Sequence, residues 1–175
     1  MSLHKFYIRM LILSLFLGPL AWVMFTDDGQ RYGDIFMLEL GDAESINLNF
    51  ANLSSRVDEA TLQQQFPQVA FKCVDLVSAF GHRQCSSALA SINGAPAQYI
   101  KAFFVQDQLS AVKVGYQPSY HQYVYNAILT SFGEGEAGPE QGMRRWNTGN
   151  GMLYAPPQVL TLDKEAALLW LVSGN

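Results

Sequence analysis

The sequence predicts an α+β protein: an N-terminal membrane helix, then one small domain with an antiparallel sheet of about five or six strands and two helices on one face. Three observations predict it. An uncharged apolar run extends from Met10 to Phe25. Short segments rich in aromatic and β-branched residues, separated by turn signals, recur through the rest of the chain. Only two stretches beyond the run carry helix signals. With 175 residues there is room for one ordinary domain, divided as a membrane segment (1–26), a polar linker (27–33) and an exported domain (34–175).

The apolar run, MLILSLFLGPLAWVMF, is near the lower length limit for a spanning helix. Gly18 and Pro19 interrupt it, which a lipid-embedded helix tolerates. Tyr7 and Trp22 stand near its ends, where amphipathic rings favour the interface. Lys5 and Arg9 precede it and Asp27 and Asp28 follow it, so the positive-inside rule places the N-terminus in the cytoplasm. A cleaved signal peptide needs small residues at −3 and −1, and cleavage after Ala21 would put Pro19 at −3. An uncleaved anchor is the better reading, with the domain in the periplasm of a bacterial envelope.

Beyond the linker, Asp34–Leu40 reads as a strand, and Ser45–Phe50 alternates polar and apolar residues, as a second strand does. Asp58 then caps a short helix, Val57 and Leu62 sit at hydrophobic-staple positions, and Pro67 ends it at Phe66. Val69–Val74 alternates as a strand with Cys73 on its inward face. Cys73 and Cys85 pair as a structural disulfide in an oxidising compartment, worth about 2 to 3 kcal/mol by chain entropy. Ala88–Pro96, with Asn93-Gly94, is turn-rich.

The strongest hairpin signal joins Tyr99–Val105 to Leu109–Tyr116 across Gln106-Asp107-Gln108. A helix over 120–132 follows it. Ser119 and Gln122 match a capping box, Val124, Ala127, Ile128 and Ser131 form one face, and Gly133 supplies the left-handed stop. This helix packs on the hairpin. Glu134–Gly142 is a flexible acidic loop. Met143–Thr148 and Gly151–Tyr154 form a second hairpin about Asn150-Gly151. Val159–Leu162 adds a strand before a turn at Asp163-Lys164-Glu165, and Ala166–Val172 is an apolar run that fits a buried strand, though its period alone does not distinguish helix.

Apolar residues make up 49% of the chain and charged ones 15%, which excludes a disordered protein. The net charge of −4 argues against a nucleic-acid partner. Neither a Walker loop, a G-x-S-x-G elbow nor H-E-x-x-H occurs. No metal or cofactor is expected. Of the histidines, His4 precedes the anchor, His82 lies in the disulfide loop, and His121 falls in the first helical turn as an ordinary surface residue. Tyr120, Tyr123, Arg144, Arg145 and Trp146 combine the side chains enriched at binding hot spots, and are the candidate partner-binding residues; the alternative is that some complete the core. The expected function is therefore non-catalytic: a membrane-anchored envelope protein acting as an accessory, assembly or adaptor subunit on other envelope proteins. The alternatives are a periplasmic enzyme or small-ligand binder with an unrecognised site, and an inhibitor or immunity-type protein.

Overall fold

The computed structural model describes residues 3–41, 43–139, 142–160 and 165–173, with side chains from residue 7 onward. The first helix, α1, runs over Leu3–Phe25 with Pro19 inside it. Its segment Tyr7–Phe25 is long and apolar enough to cross a membrane, and its side chains are all exposed in the protein. A helix apolar on every face has no polar side to give to water, which fits a lipid surround.

A second helix, α2, follows after one residue and spans Asp27–Glu39. It replaces both the expected linker and the expected strand over 34–40. Thr26 explains its start: its hydroxyl accepts a hydrogen bond from the Gly29 amide at 3.0 Å and donates to the Trp22 carbonyl at 2.7 Å. Asp27 and Asp28 then occupy the first turn, where negative charge complements the helix dipole.

The remaining elements are β1 (Glu44–Ile46), a 3-10 turn (Phe50–Asn52), α3 (Glu59–Gln65), β2 (Lys72–Ser78), β3 (Gly81–Ile92), β4 (Ala95–Val105), β5 (Gln108–Tyr116), α4 (His121–Phe132), β6 (Glu136–Ala137), β7 (Arg144–Asn147), β8 (Gly151–Ala155) and β9 (Ala166–Val172). Among the described residues the sheet has nine strands in the order β1-β3-β4-β5-β9-β8-β7-β6, with β2 also paired to β3. It is larger than expected, and it is mixed, because β1 runs parallel to β3 while the other pairs are antiparallel. On β3, β2 occupies the stretch near Gly81–Ser86 and β1 the stretch near Leu89–Ile92, so both are edge strands.

Most of the growth comes from segments expected as loops. β3 continues through the turn-rich stretch to Ile92, and only Asn93-Gly94, with φ of 50° and 75°, turns the chain. Part of the acidic loop pairs as β6 with β7. The expected strand at 45–50 is shorter, since the chain turns into a 3-10 segment at Phe50. The cysteine strand starts later, at Lys72. Val159 and Leu160 are not in a strand, and 161–164, where the last strand and turn were expected to meet, lie outside the described residues.

The helices follow their sequence signals more closely. The Asp58 carboxylate accepts from the Thr61 amide at 2.7 Å, Val57 and Leu62 are buried, and α3 stops at Gln65 before Pro67. α4 ends at Gly133 with φ of 75°. The Ser119–Gln122 capping box does not form: Pro118–Tyr120 is a 3-10 turn, and Gln122 instead donates to Asn126 at 2.8 Å. Leu62 of α3 and Val124 and Ile128 of α4 reach one buried cluster with Ile100, Phe104, Val112, Val114, Leu168 and Trp170 of the sheet. The opposite sheet face carries a polar group in which Lys113 and Tyr99 both bond Glu165.

Candidate functional site

The sheet and α4 position a junction between the domain and the helices α1 and α2. Arg31 on α2 is its centre, with a side chain only 11% exposed. Its guanidinium donates to the Gly94 carbonyl and to the Asp28 carboxylate, each at 3.0 Å. The same group lies 4.3 Å from the ring centre of Tyr123 on α4 and 4.9 Å from that of Tyr32. Contact with two aromatic rings suits a planar, weakly hydrated cation.

One turn further along α2, Asp34 accepts a hydrogen bond from the Tyr120 hydroxyl at 2.6 Å. Burial, then the nearby Asp34 charge, push the Tyr120 phenol far above its ordinary value, so it is a permanent donor here. The turn that Arg31 grips is itself fixed. The Asn93 side-chain amide accepts from the Leu48 amide at 2.8 Å and donates to its carbonyl at 2.9 Å, continuing the β1–β3 pairing past the turn. α2 is thus held to the domain through a rigid corner.

Two of the expected binding residues, Tyr120 and Tyr123, therefore meet the chain's own α2. Tyr123 keeps an exposed edge. The other three lie elsewhere. Trp146 is 3% exposed, packs edge-on to Tyr125 and donates from its indole to the Gly133 carbonyl at 2.9 Å, so it completes the core and is not a surface anchor. Arg144 is exposed on β7 and donates to the Gly135 carbonyl, while Arg145 pairs with Glu136 at 2.9 Å. The five residues do not form one patch. Arg31 and Asp34 complete the junction and were missed, because their segment read as linker and strand.

A groove of 450 Å³ adjoins the junction, between α4 and the segment from Leu48 to Ala51. The helix face read from the sequence accounts for it. Val124 and Ile128 are buried as expected, but Ala127 and Ser131 are too small to reach the opposite wall and line the open groove.

Cys73 and Cys85 are joined, facing one another across β2 and β3 as register partners. Beside them, Arg83 bridges Glu59 on α3 and Asp75 on β2. Glu59 and the two sulfurs come close enough to hold a metal, but the disulfide removes both thiolates as ligands. Outside the staple, β2 shows Val74, Leu76 and Val77 to solvent, Val77 at 83%, and its outer edge has no strand neighbour among the described residues.

His121 is buried, contrary to the surface position expected for it. Its Nδ1 bonds the Tyr116 hydroxyl at 2.8 Å and the two rings stack. Nε2 has no hydrogen-bond partner among the described residues. Burial lowers its affinity for a proton, opposed in part by the Pro157 and Pro156 backbone. Burial also raises the Tyr116 phenol, so the pair is neutral at physiological pH.

Comparison with protein-family models, with curated proteins and with solved structures finds no match to this chain.

Proposed function

We propose that this chain is a membrane-anchored envelope protein with no catalysis of its own, an accessory, assembly or adaptor subunit that binds other envelope proteins. The anchor is α1, with the N-terminus in the cytoplasm and the domain in the periplasm of a bacterial inner membrane. The paired cysteines support an oxidising compartment for the domain.

The observation that carries the reading is β2. An exposed edge strand with apolar side chains is a template for another chain, and soluble domains normally blunt such edges with charge or proline. Here the strand holds Val74, Leu76 and Val77 outward; the disulfide fixes its register over Lys72–Asp75, and Leu76 and Val77 lie in the irregularity that follows, before Ser78 pairs with Gly81. An extended segment of a partner adds there by main-chain hydrogen bonds, with the valines and Leu76 selecting its side chains. Tethering by α1 raises the local concentration of this strand beside other membrane proteins.

The test is purification of tagged full-length protein from membranes in mild detergent. A stoichiometric partner is expected, lost with Val74→Lys/Val77→Lys and retained with Gln64→Lys. Recovery of the protein alone, or a partner indifferent to the β2 substitutions, would refute this mode of binding.

A further inference from the structure

The two sides of α2 have different surroundings. At 100° per residue, Arg31, Asp34, Ile35 and Leu38 share one side, which faces the domain and is partly buried. The opposite side, an arc of about 140°, holds Tyr32, Phe36, Gly29, Leu40, Gly33 and Met37 and no charged residue.

The N-terminal half of this outer side lies on α1. A methyl group on Gly29 would sit 2.2 Å from the Trp22 carbonyl oxygen, and one on Gly33 would sit 3.2 Å from the Val23 side chain. Tyr32 stacks on Trp22, with ring centres 6.0 Å apart. Because Gly33 still meets Val23 and not an earlier turn, α2 crosses the end of α1 instead of running back along it. Past the crossing, the same stripe continues as Phe36, Met37 and Leu40, all exposed, Met37 at 68%.

We infer that α2 is an interfacial helix, with Tyr32, Phe36, Met37 and Leu40 seated in the headgroup and upper acyl region of the bilayer that α1 spans. The inference rests on the reading of α1 as a membrane anchor. Its occupant follows from continuity: the surface that α2 shares with the end of α1 is the surface where the apolar residues project. The charged groups of α2, Asp27, Asp28, Arg31, Asp34 and Glu39, lie outside the stripe and are directed to water or the domain. Acidic flanks give no attraction to anionic lipid, so the seating is apolar and insensitive to lipid charge. With α2 clamped to the domain through Arg31 and Tyr120, the bilayer then sets the height and tilt at which the sheet is presented.

The test places single spin labels on the full-length protein in vesicles of phosphatidylethanolamine and phosphatidylglycerol, leaving the native cysteines paired. The sites are Leu15→Cys in α1, Met37→Cys and Phe36→Cys on the outer side of α2, and Gln64→Cys in water. Labels at 36 and 37 are expected to respond to lipid-soluble oxygen more than to a water-soluble nickel chelate, as label 15 does and label 64 does not. The preference is expected to be the same in vesicles of phosphatidylcholine alone. Label 15 in lipid with 36 and 37 in water overturns the interfacial helix and leaves the anchor standing. Label 15 in water overturns both. The label at 36 guards against a local perturbation at 37, since either position, both being exposed, accepts a probe without repacking.

Discussion

Reducing the Cys73–Cys85 bond tests how the β2 edge is held, and its magnitude follows from the chain. The sequence separation is 12 residues. The closed-loop relation, −2.1 − 1.5R ln n, gives about −9.5 cal/mol/K for a loop of that size, or about 2.8 kcal/mol at 25 °C. Reduction leaves the two sulfur atoms in place, so no cavity adds to this figure. For a domain of this length, each kcal/mol moves Tm by about 2 to 4 °C, so reduction is expected to lower it by about 6 to 11 °C. The assay is thermal unfolding of the full-length protein in detergent, with and without a phosphine reductant, followed in near-ultraviolet circular dichroism. That signal reports Trp146 and Trp170, both buried in the domain core. Alkylation counts the thiols released. If both thiols are free and Tm moves by less than about 2 °C, the entropic account of this staple is wrong.

Two further predictions concern buried polar groups. Burial holds His121 below its ordinary value of 6.5, so between the folded and unfolded values the unfolded chain binds more protons. Stability contributed by the neutral ring is complete above about pH 6.5 and is lost as pH falls below it, a loss that His121→Gln is expected to flatten. Asp58 and Glu165, both held below the ordinary carboxylate value, act in the same direction only at more acid pH. Equal slopes of Tm against pH for the two proteins would refute the assignment to His121. At the junction, Tyr120→Phe removes the hydroxyl that bonds Asp34. A part-buried bond to a charged acceptor is worth about 1.5 kcal/mol, at the low end for charged partners, so amide exchange within Asp27–Glu39 is expected to quicken roughly tenfold while β4 is unchanged. No change in α2, or an equal change in both elements, would sink the clamp.

How far the fold was legible depends on whether each element has one apolar side. α3 and α4 each bury one face and the β4–β5 hairpin is dense in aromatic and β-branched residues, so period, the Asp58 cap, the Gly133 stop and composition located them within a residue or a few. α2 defeats the same rule. Ile35 and Leu38 turn to the domain while Phe36, Met37 and Leu40 turn away from it, so the apolar residues run together and the helical period disappears from DIFMLEL. The signal that remained was Thr26 followed by two aspartates, a helix start. β2 and β3 fail for the opposite reason. The alternation over Val69–Val74 placed a strand that begins three residues early, but past Val74 β2 is exposed on both faces and β3 carries serine, glutamine and arginine at its polar end, so no alternation marked the rest although the strands pair in register through Cys73 and Cys85. Cysteine spacing was then the only sequence feature that tied them together.

The site was legible as chemistry and not as geography. Tyrosine, arginine and tryptophan together do mark places where surfaces meet, because each covers apolar area and still offers a polar end. Those properties serve a partner, a core or an internal joint equally well. Trp146 spends them on the core, through Tyr125 and the Gly133 carbonyl. Tyr120 and Tyr123 spend them on Asp34 and Arg31, on a helix that begins one residue after α1. A domain joined to its anchor by a flexible linker samples many orientations, and its exposed edge meets partners from all of them. A domain clamped through Arg31 and Tyr120 samples few, so in the proposed anchored protein the position of β2 relative to the bilayer is set by the joint. In the proposed adaptor role, Tyr120 and Tyr123 thus bear on partner binding indirectly, by fixing where the free strand points, and loosening the joint with Tyr120→Phe is expected to weaken capture of a membrane partner without altering any atom of β2.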